Sequence, residues 1–260
     1  MQLHGKRIIV TGSASGIGAG TVRAYVREGA HVSAMDIDDE AGNQVVNAAN
    51  AEGAGAANYY HCNIASPEEV FSSFNAAAQE MGGLDVLCHI AAIENFNAAE
   101  DFSVDQMRGT WDVNINGTIL TNQAACHLMK QEASGAIINF ASDVALAGMP
   151  GSALYATSKG AVLSWTRTIA HEWASKFNIR CNCVNPTMKT PMYDQYLATL
   201  TPEELARHQA SEKQQVPLGG SMGDVDRDMA PVMVFLASDG SRFVNGQIIC
   251  VNGGRNMLRG

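Results

Sequence analysis

Tyr155 and Lys159 stand four residues apart in Tyr155-Ala156-Thr157-Ser158-Lys159, with Ser142 upstream. On a helix that spacing leaves the two side chains roughly 40° apart around the axis, on one face. A fixed ammonium beside a phenol favours the phenolate. Free tyrosine titrates near pKa ~10, too high for acid–base work at neutral pH. Lowering it by ~3 units takes roughly 4 kcal/mol of differential stabilisation, which a nearby cation in a partly dry site can supply. The pair therefore predicts a phenol of lowered pKa that exchanges protons. Taken alone, it also fits an ordinary helix tyrosine beside a solvated lysine.

A second constellation lies near the start. A strand-like run ends in Thr11-Gly12-Ser13-Ala14-Ser15-Gly16-Ile17-Gly18, and a helical pattern follows. Glycines allow a tight turn and close backbone approach to a pyrophosphate, and a helix N-terminus supplies amides and a positive dipole end. Asp36 closes the next strand-like run, where a carboxylate can accept hydrogen bonds from both ribose hydroxyls of an adenosine. It also separates NAD from NADP. One unit of like charge at ~4 Å from a 2′-phosphate costs about 4 kcal/mol at an effective dielectric of ~20, roughly three decades of affinity. Ser15 and Ile37 are not basic, and Asp38, Asp39 and Glu40 follow, so NAD is the expected cofactor. The competing role for Asp36 is to cap the following helix.

The elements that must position these groups alternate along the chain. Strand-like runs fall at 7–10, 31–35, 58–62, 86–90, 136–140, 180–184 and 248–251. Helical patterns fall between them, at 17–28, 39–51, 67–81, 104–130, 152–176 and 225–238. Continuous apolar strands alternating with amphipathic helices predict an α/β fold: one domain over 1–260, with a seven-stranded parallel sheet, doubly wound and covered on both faces in the Rossmann manner. The one long irregular stretch, 187–224, reads as a substrate-binding lid with a short helix at 202–212.

Composition narrows the function classes. The chain has 260 residues, 46% hydrophobic and 17% charged, with a net charge of −9 and a pI near 5.2. These are globular values, and the acidic balance argues against nucleic-acid binding. No apolar stretch approaches the ~18 residues of a membrane span, and no signal-peptide core opens the chain, so a cytoplasmic location without membrane partners is expected. Six cysteines without CxxC spacing read as free thiols, and seven scattered histidines give no metal-ligand cluster.

The order Gly12-x-x-x-Gly16-x-Gly18, Asn114, Ser142, Tyr155, Lys159, then Val184-Asn185-Pro186 and Val251-Asn252-Gly253-Gly254, resembles the short-chain dehydrogenase/reductase family, in its compact single-domain branch, over essentially the whole chain. The resemblance implies that Tyr155 is the acid/base, that Lys159 binds the nicotinamide ribose and lowers the tyrosine pKa, that Ser142 orients the substrate oxygen, and that Asn114 holds a helix irregularity and a water in the proton relay. It further implies Asn63 and Ile64 beside adenine, Ala91 and Ala92 beside the adenosine ribose, and backbone groups of Pro186 and Met188 with the Thr190 hydroxyl anchoring the carboxamide. Related enzymes assemble as dimers or tetramers, which makes a homo-oligomer the expectation here. Three departures from the family pattern stand out: Ile90-Ala91-Ala92 where Asn-Ala-Gly is usual, Asn63 where Asp is commoner, and Pro186-Thr187 where Pro-Gly is usual.

Glu94, Val144, Met149, Met188, Met192, Tyr193, Tyr196 and Leu197 are expected to face the substrate. Most are apolar and three are adaptable methionines, which suits a hydrophobic or cyclic, steroid-like secondary alcohol or ketone; the same residues could instead simply pack the lid. The competing readings are a 3-oxoacyl-thioester reductase, which Asp36 disfavours, and a cofactor-binding protein without catalysis, which Ser142, Tyr155 and Lys159 disfavour.

Overall fold

The strands form where β-branched and other apolar residues run together. In a computed structural model the sheet strands are β1 (Arg7–Thr11), β2 (His31–Asp36), β3 (Ala56–His61), β4 (Val86–His89), β5 (Gly135–Phe140), β6 (Ile179–Pro186) and β7 (Ile248–Val251). The structure describes residues 1–198 and 200–257, without the side chains of Met192, Gln195 and Tyr196. All neighbouring strands pair in parallel, in the order β3-β2-β1-β4-β5-β6-β7. The order reverses direction between β1 and β4, which opens a crevice at their carboxyl ends.

The helices are α1 (Gly16–Arg27), α2 (Asp39–Glu52), α3 (Pro67–Met81), α4 (Val104–Trp111), α5 (Gly117–Met129), a single turn α6 (Val144–Ala147), α7 (Ala153–Phe177), α8 (Pro191–Ala198), α9 (Pro202–Gln215) and α10 (Ala230–Ala237). Local chemistry sets their ends. Asp38 caps α2 by accepting from Ala41 N at 3.0 Å, and Ser66 caps α3 with Pro67 in the first turn. Ser103 with Gln106 and Thr201 with Glu204 form reciprocal capping boxes on α4 and α9. Asn178, at φ 55°, ends α7 in the left-handed conformation.

One apolar layer lies on each face of the sheet. On one side Val22, Tyr25 and Val26 of α1, Val46 of α2 and Met233 of α10 pack on Ile8, Val10 and Ile138. On the other, Phe74 of α3, Met129 of α5 and Ile169 and Trp173 of α7 pack on Ile9, Leu87 and Ile137. Strands buried on both faces must read as unbroken apolar runs.

Two helical expectations need correction. The pattern over 104–130 is two helices joined by a π-helical turn, Asp112–Asn116. The turn inserts one extra residue per turn into a pattern whose apolar spacing continues through it. Likewise 225–238 opens with a π-helical turn, Val225–Met229, ahead of α10. The segment 187–224 holds a further helix, α8, and α9 runs to Gln215, three residues beyond the expected 212. Its ends are pinned together: Met188 bridges Gly223, Gly223 N donates to Thr187 O at 3.0 Å, and Lys189 N to Gly223 O at 2.8 Å.

Candidate active site

A cavity of about 410 Å³ occupies the crevice where the strand order reverses. At one end lie Gly12, Ser15, Gly16, Ile17 and Gly18, with Asp36 and Ile37; Asn63, Ile64, Ala91 and Ala92 line the wall, and Tyr155, Lys159, Pro186 and Thr190 close the other end. The structure thus brings together every residue expected at the cofactor except Met188. Met188 is expected there through its backbone groups, and its side chain is buried against Gly223.

The glycine turn is built for close approach. A Cβ on Gly18 would stand 1.9 Å from Gly12 O, and one on Gly12 2.6 Å from Ala91 N. Gly12 also holds φ at +70°. Ser15 precedes α1 without making a side-chain cap, so the first amides of this twelve-residue helix have no side-chain acceptor. Ser13 Oγ is buried with no hydrogen-bond partner. Free helix amides, a buried hydroxyl and bare backbone fit a pyrophosphate. Asp36 Oδ2 accepts from Ala14 N at 3.0 Å, and Oδ1 from Ile37 N at 2.8 Å and Asp38 N at 3.2 Å. The helix-capping role belongs to Asp38, which leaves the Asp36 carboxylate on the cavity wall, fixing the glycine turn.

At the other end Lys159 is buried, its ammonium donating to Phe140 O at 2.9 Å and lying 5.5 Å from the centre of the Tyr155 ring. Burial brings its pKa down to about 8, against the fields of Cys183 and Glu94. A lowered tyrosine pKa is expected of Lys159 and oxidised NAD acting together; the chain's own groups act on the phenol in the other direction. Burial, then the Glu94 carboxylate, hold the Tyr155 phenol well above its ordinary value, and the neighbouring Ser142 hydroxyl pulls the other way. Ser142 Oγ also accepts from Val144 N at 3.4 Å.

Asn114 sits in the π-helical turn, and its side chain is fully engaged. Its Oδ1 accepts from Ile93 N at 2.8 Å, and its Nδ2 donates to Ile93 O at 2.8 Å and to Ser158 Oγ at 3.0 Å. It clamps the strand-end loop to α7, one turn from Tyr155.

The expected substrate contacts divide. Glu94 lies beside the phenol, its Oε1 accepting from Ser152 Oγ at 3.0 Å, and burial raises its pKa. Met149 is 37% exposed and is not part of the cavity wall. Val144 starts the short helix after Ser142, off the cavity wall. Tyr193 turns into the lid, its hydroxyl donating to Glu212 Oε2 at 2.7 Å and meeting His208 Nε2 at 2.8 Å. The Met192 side chain, like that of Tyr196, falls outside the described residues.

The Thr187 departure has a local partner. Thr187 Oγ1 donates to Asp143 Oδ2 at 3.0 Å, and Asn252 Nδ2 donates to both oxygens of the same buried carboxylate at 3.1 Å. Asp143 thus ties the loop carrying Ser142 to the base of the lid and to the tail after β7.

Residues 12–256 match a family model described as enoyl-(acyl carrier protein) reductase. The chain belongs to the short-chain dehydrogenase/reductase family. Among its relatives, a 3-oxoacyl-[acyl-carrier-protein] reductase of Thermotoga maritima is 35% identical over 98% of this chain and 99% of its own length. A 3-alpha-(or 20-beta)-hydroxysteroid dehydrogenase of Mycobacterium bovis is 35% identical over 97% of this chain and 90% of its own. A solved NAD+-bound xylitol dehydrogenase superposes with a TM-score of 0.89 at 26% identity, over 98% of this chain and all of that one. The family's members are oxidoreductases that use nicotinamide cofactors, and the chain shares that chemistry at this level. No described helix is long and apolar enough to cross a membrane.

Sequence reasoning missed several residues of this short-chain dehydrogenase/reductase site. Met35, Cys62, Ile90, Ile93, Val113 and Phe140 also line the cavity. They are apolar residues at strand ends or in the π-helical turn, indistinguishable by type from core. His89 was missed as well. It is buried below the crevice, with Nδ1 2.9 Å from Thr11 Oγ1 and Nε2 3.0 Å from Thr118 Oγ1.

Proposed function

We propose that the protein is an NAD(H)-dependent oxidoreductase that interconverts a secondary alcohol and a ketone, with Tyr155 as acid/base and a hydrophobic or cyclic substrate. One observation carries the reading: Tyr155 and Lys159 line the same cavity as the glycine turn and Asp36.

Gly12, Ser15, Gly16, Ile17 and Gly18 would hold the pyrophosphate, Asp36 the adenosine ribose, and Lys159 the second ribose. A nicotinamide bound there supplies the hydride acceptor or donor and, when oxidised, a positive charge near the phenol. Ser142 donates to the substrate oxygen and fixes it beside Tyr155. In the oxidising direction Tyr155 takes the carbinol proton; in reduction it returns one to the carbonyl oxygen. Asn114 acts through position, holding Ile93 and Ser158 so that the loop and α7 keep their spacing.

NAD rather than NADP rests on Asp36 and the acidic run after it, and the NAD+-bound neighbour supports it. The Thermotoga relative favours a second reading, reduction of a 3-oxoacyl thioester. A preference for NADPH would select it. A homo-oligomer, dimer or tetramer, is also proposed. The fully exposed Phe243 and the 42% exposed Phe235 support it, and light scattering on the purified protein checks it.

The test of the mechanism is Tyr155→Phe. Loss of an acid/base group lowers the rate by about 10²–10⁴. Turnover of any secondary alcohol with NAD should fall by that factor while NADH still binds. Unchanged turnover would refute the role.

A further inference from the structure

Glu94 is a carboxylate set in an apolar mouth. Ile93 and Phe96 beside it are 38% and 62% exposed. Asn97 N donates to Gly151 O at 3.0 Å, which lays this segment against the turn preceding α7. Two anchors fix the carboxylate there. The Asn114 side chain grips both backbone groups of Ile93, one residue earlier, and the buried Ser152 hydroxyl donates to Oε1 at 3.0 Å. Ser152 stands three residues before Tyr155, so the carboxylate and the phenol hang from one frame.

The carboxylate is under-satisfied. Ser152 gives it its one hydrogen bond among the described residues, and no described cation pairs with it within ion-pair distance. A half-buried carboxylate accepts up to about four hydrogen bonds, and leaving acceptors dry is costly. Its anchor Ser152 precedes α7 by one residue and Tyr155 by three, which keeps the carboxylate at the Tyr155 end of the site, where its charge acts on both Tyr155 and Lys159. Lys159 already supplies positive charge to that space, which favours a neutral donor over a second cation. An anionic substituent there would meet like charge.

We propose that Glu94 is a specificity-determining residue that accepts a hydrogen bond from a second hydroxyl of the substrate, so that the preferred substrate is a diol or polyol on an apolar or cyclic body. The proposal rests on the secondary-alcohol reading above. It replaces a simple hydrophobic alcohol by one with a defined polar handle, and it predicts rejection of hydroxy acids.

Matched triplets of cyclic substrates test it: a monohydroxy alcohol, its diol and its hydroxy acid on cyclopentane, cyclohexane and decalin frames, each with NAD. The wild-type protein should prefer the diol over the monohydroxy alcohol by about 10–100-fold in kcat/KM, the value of one hydrogen bond to a charged group. In Glu94→Ala that ratio should fall below about threefold, and relative use of the hydroxy acid should rise at least about tenfold. Glu94→Gln keeps the Ser152 contact and an acceptor but loses the charge. It should relieve the rejection of the hydroxy acid equally while keeping part of the diol preference, and it decides the matter should the alanine variant no longer bind NADH. A wild-type ratio near one, or ratios unchanged in a variant that still binds NADH, overturn the role of Glu94 alone. Absence of NADH formation across all triplets overturns the alcohol-oxidising reading beneath it.

Discussion

His89 should govern the acid stability of this protein. The ring is 2% exposed and sits between β1, β4 and α5. Thr118 Oγ1 donates its proton to Asn114 O at 2.7 Å, so His89 Nε2 must donate to Thr118 Oγ1 at 3.0 Å, and Nδ1 accepts from Thr11 Oγ1 at 2.9 Å. That network holds a neutral imidazole. Burial, then the Lys159 charge, bring its pKa down from 6.5 to about 3. Between about pH 6.5 and 3 the unfolded chain therefore binds a proton that the folded chain refuses. Stability contributed by the neutral ring is complete above the unfolded value and is lost as pH falls through this window. From about pH 7 to 4.5 the unfolded state gains roughly two pH units of binding, which lowers stability by about 2–3 kcal/mol. The window lies mostly above the carboxylate range, where the salt-bridged Asp85, held low by Arg7, has not yet titrated. Urea unfolding at the two pH values measures the loss, and His89→Asn, which cannot gain a proton, should reduce it to below about 0.5 kcal/mol. An equal acid loss in wild type and variant would refute the assignment.

Two further outcomes are expected. Asp36→Asn removes the charge facing an adenosine 2′-phosphate while keeping an acceptor for Ala14 N, so the ratio of NADPH to NADH affinity in fluorescence titrations should rise by roughly 10²–10³; an unchanged ratio would show that Asp36 does not face that phosphate. Asp143→Ala leaves the Thr187 hydroxyl and the Asn252 amide without their shared acceptor, costing about 2–5 kcal/mol in urea unfolding. A loss below about 0.5 kcal/mol would mean that water replaces the carboxylate.

How far the sequence carries depends on which physical signal encodes each feature. The parallel sheet is legible because strands buried on both faces must be apolar throughout, and Ile8-Ile9-Val10 and Ile137-Ile138 announce that burial directly. The cofactor cradle is legible because only glycine tolerates a Cβ position 1.9 Å from a carbonyl oxygen, as at Gly18. The helix break at Asn114 is visible from the family resemblance and not from periodicity, because a π-helical turn keeps apolar spacing within helical limits. The surroundings of Tyr155 are legible only in part. Spacing places Lys159 on the same face, but it cannot say that the Phe140 carbonyl takes the ammonium or that the Glu94 charge also acts on the phenol. Nor can spacing say that the Tyr193 hydroxyl meets His208 and Glu212 of the next helix, α9.

Asp143 also bears on the order in which a growing chain can become an enzyme. The carboxylate follows Ser142 directly, yet its partners are Thr187, 44 residues later, and Asn252, 109 residues later. The sheet can add β1 to β6 as each strand emerges, and the cofactor cradle can close once β4 is in place. The loop beside Tyr155 has to wait for the last strand and the tail behind it. A ribosome-bound chain halted before Asn252 would thus carry a finished nucleotide crevice and an unsettled reaction centre. Dinucleotide affinity should appear earlier in synthesis than turnover.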